Sequence, residues 1–381
     1  MTAGAGKGPL AGLRIVELAG IGPGPFAAMM LADHGAEVIR IDRPGPPLSG
    51  RVDILNRSRR SIIVDLKRAE GRAIALALCA GADGFIEGLR PGVAERLGLG
   101  PDVLLGRNPG LVYGRITGWG QSGPLAQAAG HDLNYVALSG ALEPMADADG
   151  RPPVPLNLIG DFGGGGMLLA FGMLAAMLAV RGGAPGQIVD AAMTEGAALL
   201  AAMFFNPGTM AGMGAALGQN MLAGAAPFYG LYETADGGFV SLAAIEPPFR
   251  ALLLERTGLA GDPLFARPMD KATWPAGRAK LAAAIKRCTR AEWCAALEGS
   301  DACFAPVLSR AEAPAHPHHV ARGSFVEAFG LVQPAPAPRY SESITTPPHL
   351  PAPGADTDAL LTETGHDAAT IARLRREGVV G

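Results

Sequence analysis

The sequence predicts an α/β fold in which a large domain with a mostly parallel sheet is followed by a smaller α+β domain. In the first half of the chain, short β-branched runs alternate with helical patterns, which is typical of a parallel sheet with helices on both faces. Of the 381 residues, 49% are hydrophobic, which is enough to bury a large core. Near residue 206 the composition changes, because Gly, Ala and Met replace most of the charged residues.

The predicted elements follow this alternation in chain order. Strands are expected at residues 13–18, 37–42, 61–66, 84–89 and 111–117, and helices at about 26–34 and 67–80. The glycine-rich run 160–166 is expected to form a turn before two apolar helices, at about 165–180 and 188–205. Strands on either side of Asp236-Gly237-Gly238 open the second domain, charged helices continue to about residue 300, and a Pro-rich stretch at 331–353 precedes a final helix near 368–377.

These patterns also predict the domain boundaries. We expect a large domain at 1–205, a linker at 206–226, a small α+β domain at 227–310, and a segment at 311–381 that runs back to the large domain.

The composition argues against several classes of protein. A net charge of −3 lacks the basic excess that nucleic-acid-binding proteins use to displace counterions from phosphates. The four cysteines lack the C-x-x-C spacing of zinc or redox sites, so we expect reduced thiols and no metal. The N-terminus has no apolar signal region, and the longest apolar run, 167–180, is too short to span a bilayer. We therefore expect a soluble cytoplasmic enzyme.

A His-Asp pair and a Gly-flanked aspartate stand out in the apolar, glycine-rich segment 130–166. Charged and imidazole side chains are seldom buried unless they are paired or take part in chemistry. The local environment can bring the protonation of groups such as His131 and Asp161 near neutral pH. Together they suggest acid/base chemistry on a carbon substrate. Taken alone, His131 could be a core histidine and Asp161 a helix N-cap.

A different interpretation concerns the start of the chain. The run GPGPFA at 22–27 follows the first strand and fits G-x-G-x-x-A, with Asp42 at the end of the next strand, as in a dinucleotide-binding dehydrogenase. However, Pro23 and Pro25 lack the backbone N–H groups that such a loop donates to a pyrophosphate. A tight turn into a helix with Pro25 near its first position is favoured, and the dehydrogenase stays an alternative.

Basic residues gather in the first hundred positions, mostly just after predicted strands. Each one alone is expected to be a solvated surface charge. Because ligands of open α/β sheets bind at the carboxyl ends of strands, the group could hold a phosphorylated handle such as a nucleotide. Its members are Arg43, Arg51, Arg57, Arg59, Arg60, Lys67, Arg90 and Arg96.

Eight motifs, distributed over nearly the whole chain, add up to a family resemblance. They are GIGPGPFAAMMLADHGAEVIRIDRP, RRSIIVDLK, EGLRPGVAERLGLG, RITGWGQSGP, GHDLNY, LNLIGDFGGGG, GQIVDAAM and LRREGVVG. In this order they resemble the family III CoA-transferases and, within that family, its racemase branch. The resemblance implies an interlocked homodimer. Each subunit would have a large Rossmann-like, CoA-binding domain, completed by the C-terminal segment, and a smaller domain reached by long linkers.

The resemblance also implies roles for four residues. Transferases of this family use an aspartate at the position of Asp161 as a nucleophile, which forms a mixed anhydride with the acyl group. The racemase branch adds a histidine, here His131, and a glutamate, here Glu246. The implied arrangement pairs His131 with Glu246 of the partner subunit, and Asp161 with Asn157, as acid/base pairs on opposite faces of the substrate carbon.

An enzyme of this branch would interconvert (R)- and (S)-2-methylacyl-CoA thioesters by proton transfer at Cα through an enolate, with CoA as part of the substrate and no cofactor. Backbone N–H groups around the predicted GDFGGGG turn could stabilise the enolate oxygen, and the Met-rich stretch could carry the acyl chain. A transferase that uses Asp161 covalently is the alternative, followed by a non-enzymatic CoA-binding protein.

The resemblance finally implies contacts to CoA. Basic residues at family positions near the nucleotide and two residues of the GHDLNY motif are expected to make them, with Lys67 the weaker match. The predicted contacts are Arg43, Lys67, Arg90, Arg96, Asp132 and Tyr135. Relatives often carry an aromatic residue before R-P-G, whereas this chain has Leu89, which offers no ring for stacking on adenine.

Overall fold

In the computed structural model, which describes residues 8–46, 53–213 and 216–381, the chain forms two compact units. The large unit contains the described residues up to Ser139 together with Pro155–Leu200 and Val320–Gly381. The small unit contains Gly140–Val154 and Ala201–His319. The chain therefore enters the small unit twice and returns to the large unit each time.

These units differ from the predicted domain boundaries in three places. Residues 140–154, predicted to belong to the large domain, lie in the small unit, and so do residues 201–226, predicted as the end of the large domain and the linker. The two segments pack on each other, and Asn220 Nδ2 donates a hydrogen bond of 3.0 Å to the Pro144 carbonyl. The chain returns to the large unit at Val320 instead of residue 311.

Parallel strands form the main sheet of the large unit, in the order β3-β2-β1-β4-β5-β6. They are β1 (Arg14–Leu18), β2 (Glu37–Asp42), β3 (Arg60–Ile63), β4 (Gly84–Glu87), β5 (Val112–Thr117) and β6 (Gln187–Ala192). The first five strands and the mostly parallel sheet confirm the sequence prediction. The sixth corrects it, because a helix was expected from residue 188. Instead, β6 pairs with β5, from Val112 opposite Gln187 to Thr117 opposite Ala192.

Hydrophobic clusters lie on both faces of this sheet, since successive residues of a strand point to opposite sides. Val16 and Ile39 belong to one cluster, and Ile15 and Val38 belong to the other. The helices of this part of the chain are α1 (Pro23–Asp33), α2 (Ala69–Ala80), α3 (Val93–Arg96), α4 (Pro101–Arg107), α5 (Asp132–Leu138), α6 (Leu168–Arg181) and α7 (Met193–Leu200).

The GDFGGGG run lies inside a helix and not in the predicted turn. A π-helix at Leu158–Met167 continues directly into α6. A Cβ on Gly164 would lie 2.6 Å from the backbone nitrogen of Ala197 in α7, and a Cβ on Gly166 would lie 2.7 Å from the carbonyl oxygen of Pro23 in α1. The glycines are needed because the backbones of neighbouring helices approach more closely than a side chain would permit.

The resulting helix, Leu158–Arg181, is the one segment in the described part of the chain that is long and apolar enough to cross a membrane. It has 24 residues and a mean hydropathy of 1.8, and 44% of its apolar window is buried within the protein. This corrects the expectation that the apolar run at 167–180 is too short, because the helix begins earlier. By length and composition alone the finding is weak, since α6 packs on β5 and β6 as a core helix does.

An antiparallel sheet and a layer of helices form the small unit, which agrees with the predicted α+β pattern. The strands are β7 (Tyr229–Glu233), β8 (Phe239–Ala243) and β9 (Phe304–Pro306), in that order across the sheet. The predicted turn at Asp236 joins β7 to β8. The helices are α8 (Pro207–Met213), α9 (Pro247–Arg256), α10 (Trp274–Ile285) and α11 (Arg290–Leu297), and α12 (Pro317–Arg322) follows them. Val240, Leu281 and Trp293 belong to their shared core.

The last segment of the chain contributes to the core of the large unit. It consists of the hairpin β10 (Phe325–Ala328) and β11 (Leu331–Pro334), an irregular Pro-rich stretch, and helices α13 (Thr357–Glu363) and α14 (Ala368–Arg376). Leu360, Ile371 and Leu374 pack in the same cluster as Ile62 of β3 and Phe85 of β4. The large unit therefore depends on residues from both ends of the chain.

Candidate active site

Three of the predicted catalytic residues lie on neighbouring segments of the large unit. Asn157 is the N-cap of the π-helix, and Asp161 follows one wide turn later. Asn157 Nδ2 donates a hydrogen bond of 3.2 Å to Asp161 Oδ2. His131 is the N-cap of α5, which packs against the π-helix, and its charge acts on Asp161. The structure therefore joins the predicted pair of Asp161 and Asn157 and places His131 on the adjacent helix.

The Asp161 carboxyl group lies against the loop that leads into α1. A Cβ on Gly22 would be only 3.2 Å from Asp161 Oδ2, and Gly22 has a φ of 69°, a left-handed conformation that favours glycine. The rings of Phe26 and Phe162, with centroids 4.7 Å apart, fix α1 on the π-helix beside this contact. Gly22 is a site residue that the sequence interpretation missed, although its place in the glycine-rich loop after β1 was a usable signal.

Burial, more than any neighbouring charge, shifts the pKa of Asp161. Burial raises the pKa of its carboxyl group, and the negative charge of Asp132 raises it further. The hydrogen bond from Asn157 and the charge of His131 oppose this, but the net direction is upward. A carboxyl group of this kind is closer to a proton donor at neutral pH than an exposed aspartate is.

The backbone N–H of Asp161 is already engaged. It donates to Asp132 Oδ1 at 2.6 Å. Because Asn157 is the N-cap and the helix begins at Leu158, Asp161 lies in the first turn of the helix, and the glycines after it lie further inside. The plain N-cap interpretation of Asp161 is therefore wrong. That N–H groups of GDFGGGG stabilise an enolate oxygen stays a prediction.

His131 presents an exposed side chain at the start of α5. Its backbone N–H donates a hydrogen bond of 3.0 Å to the Asn134 side-chain oxygen, which fixes the first turn of the helix. The position is therefore that of an exposed imidazole on a hydrogen-bonded helix start and not that of a core histidine.

Tyr135 lies one turn after His131 and is buried. Its hydroxyl donates a hydrogen bond to the Gly130 carbonyl, and its ring meets the edge of Trp119 at a centroid distance of 4.8 Å. Burial raises the pKa of the Tyr135 hydroxyl, the charge of Asp161 raises it further, and the charge of Arg90 opposes this. Tyr135 therefore lies near both an acid/base residue, Asp161, and a predicted CoA contact, Arg90. The contact of Tyr135 itself with CoA stays a prediction.

A cavity of about 410 Å³ opens at the carboxyl ends of β1, β2, β3 and β4. Arg43 and Lys67 contribute positive charge to its walls, and Leu89 contributes an aliphatic surface. In the observed strand order, β2 lies on one side of β1 and β4 on the other, so this is the point where successive connections diverge. Open α/β sheets bind ligands at this position.

Arg90 and Arg96 follow β4, one in the loop and one in α3, and both are exposed. Neither these two nor Arg43 and Lys67 form an ion pair with a carboxylate of the described residues. Four cations without carboxylate partners near one cavity are suited to an anionic ligand. Their contact with CoA itself stays a prediction.

Three other members of the predicted basic group are wrong as ligand contacts, because they are bound inside the protein. Arg57, Arg59 and Arg60 form ion pairs at 2.5, 3.1 and 2.6 Å. Their respective partners are Asp33, Glu17 and Glu37. Arg57 also donates to Gln333 at 2.8 Å, and Arg60 pairs with Glu363 at 2.7 Å, so these cations attach the C-terminal segment. Arg51 lies outside the described residues.

The structure also argues against the dinucleotide interpretation. Both oxygens of the buried Asp42 carboxylate are engaged, one by Arg40 at 2.8 Å and the other by the Ser61 hydroxyl at 2.7 Å. Each oxygen therefore already has a partner inside the protein, which is the pattern of a structural carboxylate. Pro23, and not Pro25, occupies the first position of α1, so the loop is a tight entry into the helix.

Glu246 belongs to the small unit, where it is the N-cap of α9 directly after β8. Its exposed carboxylate acts on Arg250, one turn later: burial lowers the pKa of that guanidinium and the Glu246 charge raises it. The structure thus places Glu246 at an exposed helix start, accessible to a ligand or to another chain.

A larger cavity, of about 610 Å³, lies entirely within the small unit and contains none of the predicted site residues. Trp274, Leu231 and Arg278 line it. Within residues 8–46, 53–213 and 216–381, no group of three or more His, Cys, Asp or Glu side chains is arranged to hold a metal ion. That no metal takes part stays a prediction.

Comparison with known proteins agrees with the resemblance seen in the motifs. Alpha-methylacyl-CoA racemases of Mus musculus and Homo sapiens are each 42% identical to this chain, over 97% of it and 97% of each of them. The acetyl-CoA:oxalate CoA-transferase of Acetobacter aceti is 30% identical over 86% of this chain and 88% of its own. A crystal structure of a CAIB/BAIF family protein from Brucella suis, 25% identical, is similar with a TM-score of 0.79 over 94% of this chain and 99% of that one.

The family pattern itself covers most of the chain, since CoA-transferase family III matches residues 10–358. This range contains every predicted site residue, from Arg43 to Glu246. With the parallel sheet, the Asp161 site and these relatives in agreement, the chain belongs to CoA-transferase family III.

Proposed function

We propose that this protein is an alpha-methylacyl-CoA racemase, which interconverts (R)- and (S)-2-methylacyl-CoA thioesters. The observation that carries the proposal is the Asp161 carboxyl group, half-buried, hydrogen-bonded to Asn157 and raised in pKa, beside the helix start that presents His131. The 42% identity to racemases of two mammals over nearly the full length supports it. The alternative within the family is a CoA-transferase.

The reaction needs a base on one face of Cα and an acid on the other. In one direction, neutral His131 takes the Cα proton, leaving an imidazolium and an enolate, and protonated Asp161 delivers its proton to the opposite face. In the other direction, the Asp161 carboxylate is the base and the His131 imidazolium is the acid. Each proton removed is replaced, so the step balances without a redox co-reactant. The raised pKa of Asp161 suits a carboxyl group that must exist in both forms near neutral pH.

CoA would lie over the carboxyl ends of β1 to β4. Arg43 and Lys67 line the cavity there. Arg90 is close enough to Tyr135 for its charge to lower the pKa of that hydroxyl, and Tyr135 is one turn from His131, so the cations extend toward the acid/base residues. In this arrangement the nucleotide is held by cations of the sheet edge, and the thioester reaches Asp161. The reacting carbon is thereby positioned by binding energy from a remote part of the substrate.

We further propose that the active enzyme is an interlocked homodimer, located in the cytoplasm, in which His131 works with Glu246 of the partner subunit. Support comes from apolar side chains that the large unit leaves exposed along its long helix, among them Phe171 at 70% and Leu178 at 72%. Met167 and Leu200 are also exposed in this region. Exposed apolar patches of this kind commonly mark a subunit interface.

Complementation tests the shared site. Co-expression of His131→Ala and Glu246→Ala chains should yield heterodimers with one intact and one doubly damaged site, and these should regain activity that both parent homodimers lack. A heterodimer of verified composition with no regained activity would place Glu246 in the same subunit's site or outside the mechanism.

The covalent chemistry of a transferase is favoured by one observation, the accessible Asp161 carboxyl group at the position where family transferases carry their nucleophile. Attack of the Asp161 carboxylate on the thioester would form a mixed acyl anhydride and release CoA as thiolate. The thiolate would attack the Asp161 carbonyl of this anhydride, which gives an enzyme–CoA thioester and the free donor acid. An acceptor carboxylate would then displace CoA from that thioester to form a second anhydride, and the thiolate would attack the acceptor carbonyl, which yields the new acyl-CoA and frees Asp161. Unlike racemisation, this sequence cannot complete with one thioester alone.

Solvent isotope exchange separates the two functions. One enantiomer of a 2-methylacyl-CoA is incubated with the enzyme in deuterium oxide, without an acceptor acid, and followed by NMR and chiral separation. A racemase incorporates deuterium at Cα and forms the other enantiomer, and Asp161→Asn abolishes formation of the other enantiomer. Transfer of CoA to an added carboxylic acid, with no exchange at Cα, would contradict the racemase proposal.

A further inference from the structure

We propose that Asp132 is a positioning residue for Asp161, joining the two acid/base segments through its buried carboxylate, and that its side chain does not contact CoA. This inference rests on the proposed racemase function. It replaces the sequence-based expectation that Asp132 binds the cofactor portion of the substrate.

The geometry of the Asp132 carboxylate supports this role. Only 7% of the residue is exposed, which leaves little surface for a ligand. Oδ1 accepts the backbone N–H of Asp161 at 2.6 Å, a short bond of the charge-assisted kind. Oδ2 is buried and accepts no hydrogen bond from the described residues. The carboxylate is therefore directed at the backbone of the catalytic aspartate, with its negative charge only partly compensated.

The neighbouring backbone is shaped to admit this carboxylate. A Cβ on Gly160 would lie 2.6 Å from Asp132 Oδ1 and 3.0 Å from its Cγ. Only glycine at this position lets the π-helix come close enough for the Asp161 N–H to reach Asp132. A Cβ at this position would push Asp132 away from the Asp161 N–H. The hydrogen bond therefore depends on the residue type at two positions, Asp132 and Gly160.

Asp132 directly follows His131 in the chain, so its hydrogen bond to Asp161 also positions His131. Asp132 is the first residue of α5, and the preceding residue, His131, is the N-cap of that helix. One hydrogen bond thus fixes the start of α5, which carries His131, to the π-helix, which carries Asp161. Proton transfer to opposite faces of one carbon depends on the spacing of these two groups, and displacements of about 1 Å in such sites can be costly.

The charge of Asp132 adds an electrostatic effect to the positioning. The groups whose charges act on Asp161 are His131 and Asp132 on α5, with the Asn157 amide on its own helix. Of the other elements packed on the π-helix, α1 has no charged side chain before Asp33, α6 carries Arg181 at its far end, and the acid of α7 is exposed. On β5, Arg115 is paired with Glu87 and Glu95, and on β6, Asp190 accepts a hydrogen bond from the Gln121 N–H. Asp132 is thus the nearby negative charge that raises the pKa of Asp161.

Two variants separate the effects of charge and position. Asp132→Asn keeps an oxygen that can accept from the Asp161 N–H but removes the charge, whereas Asp132→Ala removes both. Asp102→Asn, on the exposed first turn of α4, is the matched control for loss of one negative charge in the same unit. Thermal unfolding establishes that each variant is folded.

The pH profile is the readout that a merely structural role would not change. Racemisation in either direction needs one of the two groups, His131 or Asp161, to be protonated and the other to be deprotonated. At low pH both become protonated and no base is left, so kcat/KM falls, and this fall is the acid limb of the profile. Without the Asp132 charge the pKa of Asp161 falls, and the acid limb of Asp132→Asn should move to lower pH by roughly half to one unit. The control should leave the limb in place.

The rate and the affinity should respond differently. For Asp132→Ala we expect kcat to fall at least about tenfold, with Asp132→Asn in between, because part of an acid/base contribution is lost with the alignment. The Kd of CoA, measured by calorimetry, should stay within about twofold of wild type for both variants, because the Asp132 side chain makes no contact with CoA that the substitutions could remove. A Kd that rises in parallel with the loss of kcat/KM would restore Asp132 as a CoA contact and overturn the inference.

A direct titration keeps the inference separate from the proposed reaction. NMR of carboxyl-labelled aspartate, with the Asp161 signal assigned by its loss in Asp161→Asn, reports the pKa of Asp161 without any turnover. If wild type racemises but Asp132→Asn leaves both the acid limb and this pKa unchanged, the inference fails and the proposed function stands. If wild type shows no exchange at Cα, the proposed function fails, and the shift of the Asp161 signal in Asp132→Asn still supports or refutes the effect of Asp132.

Discussion

Gly196→Ala is expected to destabilise the protein although alanine is the better helix former. Gly196 lies in α7, where it crosses the π-helix at Gly164. A Cβ on Gly196 would be 2.5 Å from the carbonyl carbon of Gly164 and 2.6 Å from its Cα, and nearer still to its oxygen. All three atoms belong to the backbone, so no side-chain rotation can relieve the contact, and the two helices must move apart.

The magnitude follows from two opposing terms. Replacing a helical glycine by alanine contributes about 1 kcal/mol of stability. Overpacking of a tight contact costs roughly 1–3 kcal/mol and occasionally more, and a clash with backbone at this distance is at the upper end. We therefore expect Gly196→Ala to lower the free energy of unfolding by about 2 kcal/mol. Because Asp161 is less than one turn from Gly164, we also expect kcat to fall.

Gly106→Ala is the matched control, because it makes the same substitution within α4, where a Cβ would meet nothing within 4 Å. It should raise the free energy of unfolding by up to about 1 kcal/mol. The assay is urea denaturation at one protein concentration, with unchanged slope as the sign of an intact two-state transition. If Gly196→Ala has the same free energy of unfolding as Gly106→Ala, then α7 and the π-helix do not approach as closely as described, and the reasoning is refuted.

Three further predictions concern the acid/base residues, the nucleotide site and the buried ion pair of Asp33 and Arg57. His131→Ala and Asp161→Ala should each slow racemisation at least about a hundredfold, and near wild-type rates in both folded variants would refute the two-base mechanism. Arg43→Ala should raise KM and the Kd of CoA with kcat nearly unchanged, more strongly at low salt, whereas equal salt response in variant and wild type would contradict a phosphate contact. Asp33→Ala leaves the Arg57 cation buried without its 2.5 Å partner and should cost about 3–5 kcal/mol in urea denaturation, and a loss below about 1 kcal/mol would contradict a structural ion pair.

Local patterns in the sequence determined much of this protein. The strands β1 to β5 and the helices between them follow from short β-branched runs alternating with helical periodicity, since both signals depend on residues close in sequence. The family, with the roles it implies for Asp161 and its neighbours, follows from motifs such as GHDLNY and GDFGGGG. These motifs are read from sequence alone because each is contiguous.

Tertiary contacts decided the secondary structure of two segments that local sequence patterns mispredicted. The run of glycines at 163–166 has little conformational preference of its own, and it is helical because α1 and α7 pack directly on its backbone. Likewise, QIVDAA is a strand because β5 offers it an unpaired edge.

The roles of the charged residues depended even more on the fold. The basic residues near residue 60 look in sequence like those that face the cavity, yet Arg57 reaches Gln333, a residue 276 positions away in the chain. Asp132, which resembles a ligand contact in sequence, bonds to the backbone of Asp161, 29 positions later. A charge binds a ligand or stabilises the fold according to which partners the folded chain brings to it, and those partners are set by packing between segments distant in sequence.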